Sequence, residues 1–151
     1  MTDIKKKAEG LYNANLSRIE YLMGHKVSTI TRELINYGEL LLGPKFKGVY
    51  PADRVPKLNH GDMVIVNLDK TGQQGSHWIA AVKYGDKLVV YDSFGRRGSQ
   101  IIPSLKGSGN GKLSNTELDP EQIEKEFNCG QRSLAALLIY KNHGMTWYKH
   151  L

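Results

Sequence analysis

The sequence predicts one α+β domain over residues 1–151, with two helices first, a meander of strands next and a buried helix near the end. Three observations predict it: two amphipathic segments before residue 43, three short β-branched runs between residues 63 and 91, and an apolar segment at 133–142. Because helices and strands do not alternate, a doubly wound architecture is not expected. The composition, 40% hydrophobic and 24% charged, excludes a disordered chain, a collagen and a coiled coil.

The two N-terminal helices are predicted from apolar residues that recur every three to four positions. The first covers residues 3–23, and Gly24 is a plausible stop. The second runs from about Thr29 or Thr31 to Leu42, because Thr31 is a suitable cap and a Gly-Pro pair follows Leu42.

Three strands follow as short apolar runs rich in β-branched residues, namely Met63–Leu68, Trp78–Val82 and Leu88–Tyr91. Gly85 and Asp86 supply a tight turn between the second and third strands. Strands joined in this way predict a mainly antiparallel sheet.

The remaining segments divide into loops and one further helix. Residues 44–61 are rich in proline, glycine and charge, and predict a surface connection with at most short extended pieces. Residues 95–115 predict a long flexible loop, interrupted by a short strand at 100–102. The last helix starts at Cys129, is apolar nearly all round and is closed by Gly144.

Charge and cysteine content restrict the function classes. The net charge of +6 favours nucleic acid or acidic protein surfaces as partners, although solubility alone explains it equally well. One cysteine excludes an intramolecular disulfide and a Cys-rich zinc site, which fits an intracellular protein. The basic N-terminus has no apolar stretch after it, so no secretory signal is expected. No apolar run approaches the ~20 residues of a membrane-spanning helix.

Cys129 is the first candidate for chemistry, because it lies where a loop meets a buried helix. The positive end of the helix dipole favours a thiolate there, and the first-turn N–H groups can bind a developing oxyanion. The alternative is that a lone cysteine serves as a small buried hydrophobe.

His77 and Asp92 are the candidate base and its partner. If the hairpin turn centres on residues 85 and 86, Tyr84 faces Lys87, so Asp92 lies one diagonal step from His77 on the same face. A hydrogen bond between them would orient the imidazole and favour its protonated form. A turn of odd length would move Asp92 to the other face, and Asp92 would then merely begin a turn.

These residues belong to four motifs that resemble the adenain-like cysteine proteases, the adenovirus-type maturation enzymes related to SUMO-deconjugating proteases. The motifs follow in the order His, Asp, Gln, Cys: Gly75-Ser76-His77-Trp78, Tyr91-Asp92-Ser93-Phe94-Gly95, Gln122 and Asn128-Cys129-Gly130-Gln131-Arg132. The resemblance covers roughly residues 60–142 and is greatest to proteases of large DNA viruses, virophages and polinton-type elements. It implies a papain-like fold with the nucleophile at the N-terminus of a central helix.

The resemblance also implies a role for each site residue. Cys129 becomes the nucleophile, His77 the base and Asp92 its orienter. The side-chain amide of Gln122 and the backbone N–H of Cys129 form the oxyanion hole, although Gln122 could equally belong to a solvated helical turn. Trp78 and Gly130 are expected to contact the substrate, and for Trp78 a half-buried strand residue is the alternative.

The implied function is a cysteine endopeptidase that cleaves viral capsid or core precursors at Gly-containing sites during particle maturation. Such an enzyme works in the host cytoplasm, nucleus or viral factory and is packaged in the virion. We expect the enzyme to need no metal or cofactor and to be a monomer. The alternatives are a deubiquitinase or SUMO-type isopeptidase on the same fold, or a non-enzymatic basic virion protein that binds nucleic acid.

Activation and DNA contact remain open. A disulfide-linked activator peptide is excluded because the chain has no second cysteine, whereas a noncovalent peptide or DNA is compatible with the sequence. Lys5-Lys6-Lys7 and Gly95-Arg96-Arg97-Gly98 could contact phosphates or form solvated surface charge.

Overall fold

A mixed sheet of five strands, in the spatial order β1-β2-β3-β4-β5, organises the molecule. The computed structural model describes residues 3–24, 31–68, 77–95, 109–117 and 128–151. The helices are α1 (Asp3–Leu22), α2 (Thr31–Leu42), α3 (Cys129–His143) and α4 (Met145–Tyr148), with a 3-10 turn at Gly43–Lys45. The strands are β1 (Phe46–Pro51), β2 (Met63–Asn67), β3 (Trp78–Tyr84), β4 (Lys87–Tyr91) and β5 (Lys112–Asn115).

The predicted α+β class is confirmed, and the sheet is mixed rather than mainly antiparallel. The three predicted strands form the antiparallel centre, β2-β3-β4. Strands β1 and β5 pair in parallel with β2 and β4. Both added strands lie at the edges of the sheet, where partly exposed side chains weaken the apolar alternation that identifies a strand.

The segment 44–61 is therefore more than the predicted surface connection. Its first part is β1, which begins with the buried Phe46. Its later part packs over one face of the sheet through three buried apolar side chains, Ala52, Val55 and Leu58. The isolated spacing of these residues among prolines and charges hid their burial. The predicted loop 95–115 likewise contains β5, while the expected strand at 100–102 lies outside the described residues.

Side chains of the central strands alternate between two apolar layers. The layer under the helices includes Ile65, Ala80 and Tyr91. The opposite layer includes Val66, Ile79 and Val90. Because both faces are covered, the central strands are largely apolar, with their polar residues near the strand ends.

Helix α3 lies in the middle of the helical layer and packs against α1, α2, α4 and strand β3. It begins at Cys129 as predicted, and it ends before Gly144, whose φ of +89° suits a residue without Cβ. Most of its side chains are buried, which explains an apolar pattern with little amphipathic character. None of the helices in the described segments is long and apolar enough to cross a membrane.

Candidate active site

Three elements bring the predicted chemical groups to one end of the sheet. His77 stands immediately before β3, Asp92 immediately after β4, and Cys129 is the first residue of α3. All three are buried, with exposed fractions of 6%, 3% and 3%. The structure thus collects side chains separated by up to 52 residues in the sequence.

The hairpin between β3 and β4 places Asp92 beside His77. Tyr84 pairs with Lys87, and the register continues without interruption to Ala80 and Tyr91. This is the two-residue turn that the sequence predicts, with Gly85 at a φ of +62°. The Nε2 atom of His77 lies 2.7 Å from Oδ1 of Asp92, so the predicted hydrogen bond is present.

The backbone holds both partners of this bond in place. Leu68 donates its N–H to the carbonyl oxygen of His77 at 3.0 Å, which anchors His77 to β2. Phe94 donates its N–H to Oδ1 of Asp92 at 3.1 Å, and Gly95 donates to the Asp92 carbonyl oxygen at 2.8 Å. The Phe94 ring also lies against the imidazole, with the ring centroids 4.7 Å apart. The turn after β4 therefore fixes the carboxylate before any ligand is bound.

The Cys129 thiol contacts β3 and acts on the imidazole. Its sulfur accepts the backbone N–H of Trp78 at 3.4 Å, and its presence beside His77 raises the pKa of that imidazole. The arrangement brings a thiol, a base and a carboxylate together at one place.

Opposing effects set the pKa of His77. Burial is the largest single influence, and it lowers the pKa because the imidazolium loses its hydration. Hydrogen bonds to Asp92 and Cys129, together with the negative charges that these groups can carry, act in the opposite direction. Their combined effect is larger, so the pKa of His77 is raised above its ordinary value. The site therefore stabilises the imidazolium.

Helix α3 presents its N-terminus at the thiol. Asn128 occupies the cap position, but its side chain makes no capping hydrogen bond to the helix. The amide groups of the first turn are consequently not occupied by this side chain, and they carry the positive end of the helix dipole. Such a helix start can stabilise a thiolate or an oxyanion at Cys129.

The remaining predicted site residues have different outcomes. Trp78 is buried at the start of β3, and Gly130 is buried directly after Cys129, so both adjoin the thiol. The indole N–H of Trp78 is buried and has no hydrogen-bond partner within the described segments. Gln122 lies outside the described residues, and its expected oxyanion role stays a prediction.

Ser133 is a site residue that sequence reasoning missed. Its hydroxyl lies 2.8 Å from the carbonyl oxygen of Cys129 and 3.3 Å from that of Trp78. It therefore connects the first turn of α3 to the start of β3. The available signal was a serine four residues after Cys129 in an otherwise apolar buried helix, where a hydroxyl needs a partner.

The basic segments give a mixed result. Lys6 and Lys7 are exposed on α1, whereas Lys5 forms an ion pair with Glu117. Arg96 and Arg97 lie outside the described residues. Within the part of the chain that the structure describes, no three His, Cys, Asp or Glu side chains are grouped to hold a metal ion.

No protein-family model matches the chain, and a search of curated proteins found no similar sequence.

Proposed function

We propose that the protein is a cysteine endopeptidase in which Cys129 is the nucleophile, His77 the general base and Asp92 the residue that orients His77. The observation that carries the proposal is the 2.7 Å bond from His77 Nε2 to Asp92, with the Cys129 sulfur held on the backbone N–H of the next residue, Trp78, and raising the pKa of the same imidazole. A histidine that served only packing would not need two titratable partners. A raised pKa of His77 also favours proton transfer from the thiol.

The reaction begins when His77 takes the proton of Cys129. The thiolate attacks the scissile carbonyl carbon, and the oxyanion is stabilised by the backbone N–H of Cys129 and, as the family resemblance suggests, by the amide of Gln122. The tetrahedral intermediate collapses to a thioester, and the leaving amine departs with the proton held by His77. Water then loses a proton to His77 and its oxygen bonds to the acyl carbon. The carbon–sulfur bond breaks, the carboxylic acid product leaves, and the thiol is regenerated when the proton on His77 returns to sulfur.

The substrate class rests on the resemblance of the motifs. We expect cleavage of viral capsid or core precursors at Gly-containing sites, during particle maturation in the host cell and in the virion. Trp78 and Gly130 adjoin the thiol, as substrate-contacting residues must.

The test is a cleavage assay with fluorogenic peptides that contain Gly-Gly or Gly-X-Gly, run beside a ubiquitin-like isopeptide conjugate. We expect peptide cleavage that is abolished in Cys129→Ala and by iodoacetamide, while the circular dichroism spectrum of the variant stays that of the unmodified protein. Preferred cleavage of the conjugate would reassign the enzyme to an isopeptidase.

The outcome that overturns the proposal is a folded protein that cleaves neither substrate class. The non-enzymatic alternative is measured in parallel by binding to duplex DNA at 50 and 200 mM salt. It predicts an affinity that falls steeply with salt and is the same in Cys129→Ala.

A further inference from the structure

A chain of side-chain hydrogen bonds connects α1 to both the thiol and the carboxylate of the candidate site. We infer that Arg132 is a positioning residue, which holds Cys129 and Asp92 in their relative places through Asn128, Tyr12 and Tyr91. The inference rests on the proposed function, because it concerns how the reacting groups of that site are aligned. In this inference Arg132 does not contact the substrate.

Arg132 reaches two elements from the first turn of α3. Its Nε atom donates to Oδ1 of Asn128 at 3.0 Å, and its Nη1 atom donates to the hydroxyl of Tyr12 at 3.2 Å. Asn128 is the residue directly before Cys129, and its Nδ2 donates to Oε1 of Glu20 at 3.1 Å. The start of α3 is thereby fastened to two turns of α1.

The same series of hydrogen bonds continues to Tyr91, the residue before Asp92. The hydroxyls of Tyr12 and Tyr91 are 2.6 Å apart, and both residues are almost fully buried, with exposed fractions of 1% and 0%. Their rings are 5.9 Å apart and tilted by 59°. Because Tyr91 precedes Asp92, a shift of Tyr12 or Arg132 is transmitted to the backbone that carries the carboxylate.

Two locally unfavourable features are explained by this role. Asparagine is among the best N-cap residues, yet the Asn128 side chain does not cap α3 and bonds to Arg132 and Glu20 instead. A cation in the first turn also opposes the helix dipole, so Arg132 is disfavoured at its position by α3 alone. Such departures from local preference concentrate where a site needs a specific geometry.

The arrangement also has a chemical consequence. Because Asn128 is held by Arg132 and Glu20, its side chain does not cap the first-turn amides, which stay available to an oxyanion at Cys129. Loss of the guanidinium frees Asn128 to cap the helix and loosens the main chain at Cys129. A misplacement of about 1 Å in a reacting group can lower a rate by roughly 10²-fold.

The experiment compares Arg132→Met, Arg132→Lys and Tyr12→Phe with the unmodified enzyme. Lys141→Met is the matched control, because Lys141 lies at the other end of α3 and donates to the carbonyl oxygen of Leu41. Each variant is measured for kcat and KM on the peptide substrate, for the pH profile of Cys129 alkylation by iodoacetamide, and for its unfolding midpoint in urea.

For Arg132→Met we expect kcat to fall about 10- to 100-fold with KM changed by less than about threefold, because the lost contacts align reacting groups rather than bind substrate. Alkylation of Cys129 should slow, because the imidazole is no longer placed to take the thiol proton. Arg132→Lys keeps the positive charge and can still donate a hydrogen bond to one of the two partners. Its kcat and its alkylation should therefore lie between those of Arg132→Met and the unmodified enzyme. Lys141→Met should match the unmodified enzyme.

A folded Arg132→Met with the kcat and alkylation profile of the unmodified enzyme would overturn the inference. If Arg132→Met does not fold, Tyr12→Phe decides, because it removes one hydroxyl from the chain; wild-type values in that variant would equally overturn it. If the unmodified protein cleaves no substrate, the proposed function fails. The alkylation profiles still show whether Arg132 positions Cys129.

Discussion

Trp78 donates its backbone N–H to the sulfur of Cys129 over 3.4 Å, which joins the start of β3 to the start of α3. His77 is the preceding residue, so the imidazole and the thiol are positioned by neighbouring main-chain atoms of one strand. Ser133 supports the same junction through the carbonyl oxygens of both Cys129 and Trp78. The site therefore lies at the ends of two strands and at the start of a helix, and contacts between these elements hold the reacting groups in place.

The first prediction concerns the carboxylate that orients the base. Asp92→Asn keeps the size of the side chain but removes the charge that, with the hydrogen bond, raises the pKa of His77. We expect kcat to fall by roughly 10²- to 10⁴-fold, because an amide can hold the imidazole in the wrong tautomer. NMR titration of the imidazole should show a lower pKa for His77 than in the unmodified protein.

Asp62→Asn is the matched control for this prediction. Asp62 is also buried, but it lies at the opposite end of the sheet, where it accepts the N–H of Asn59 at 2.9 Å and faces Lys45. Its replacement should leave kcat within about twofold of the unmodified enzyme, because it lies at the opposite end of the sheet from the site. Equal decreases of kcat in Asp92→Asn and Asp62→Asn would mean that Asp92 affects the reaction only through the stability of the fold.

Much of the site follows from the sequence because it depends on local rules. The two-residue turn at Gly85 fixes the hairpin register, and the register alone brings Asp92 to His77. The glycine after α3 and the apolar pattern of that helix likewise locate its ends, and hence Cys129 at the N-terminus. These features are encoded within a few residues of where they act.

What the sequence did not predict depends on contacts between distant segments. Strand β1 became recognisable only through its parallel pairing with β2, and β5 only through its pairing with β4. The link from Tyr12 to Arg132 spans 120 positions, and nothing in the local pattern of α1 marks Tyr12 as other than a core residue. Such pairings are set by packing, which single-sequence patterns do not record.

The second prediction concerns stability against pH. The pKa of His77 is raised in the folded protein, so the fold binds the proton more tightly than the unfolded chain does. The stabilisation is fully present below the unfolded pKa of about 6.5 and is lost as pH rises through the folded pKa. Urea unfolding should be measured for the unmodified protein and for His77→Gln from pH 5.5 to 9. As pH rises, the free energy of unfolding of the unmodified protein should fall relative to that of His77→Gln.

The slope of that difference is at most about 1.4 kcal/mol per pH unit, because one proton is involved. It should shrink when both proteins carry Asp92→Asn, which removes one source of the raised pKa. A difference that is constant or grows in favour of the unmodified protein with rising pH would contradict the assignment of His77 as a stabilised imidazolium.

The third prediction tests the close approach of Gly111 to the β3–β4 turn. A Cβ at Gly111 would lie 1.9 Å from the carbonyl oxygen of Asp86, and φ is +83°. Gly109 has a similar φ of +81°, but a Cβ there meets nothing within 4 Å. Gly109→Ala should therefore cost about 1–2 kcal/mol of unfolding free energy from backbone strain alone. Gly111→Ala should cost at least about 1 kcal/mol more, because the backbone must also shift.

Urea unfolding of the two glycine variants measures this difference directly. Gly111 is followed by Lys112, the first residue of β5, whose N–H bonds to Asp86 at 3.1 Å. Equal losses in the two variants would show that β5 can move away from the turn without cost. The site itself is remote from this edge, so iodoacetamide should react with Cys129 equally in both folded variants.

The fourth prediction separates stability from function at Trp78. Trp78→Phe removes the buried indole N–H that has no partner in the described segments. Removal of an unpaired donor and loss of ring volume act in opposite directions, each by about 1–3 kcal/mol, so the free energy of unfolding should change little. If Trp78 contacts the substrate, as the family resemblance implies, kcat/KM should fall about tenfold, the equivalent of about 1.4 kcal/mol. Trp147→Phe, in which the second tryptophan is replaced where it stacks on His143, should leave kcat/KM unchanged. A loss of stability without a loss of kcat/KM in Trp78→Phe would assign Trp78 to packing alone.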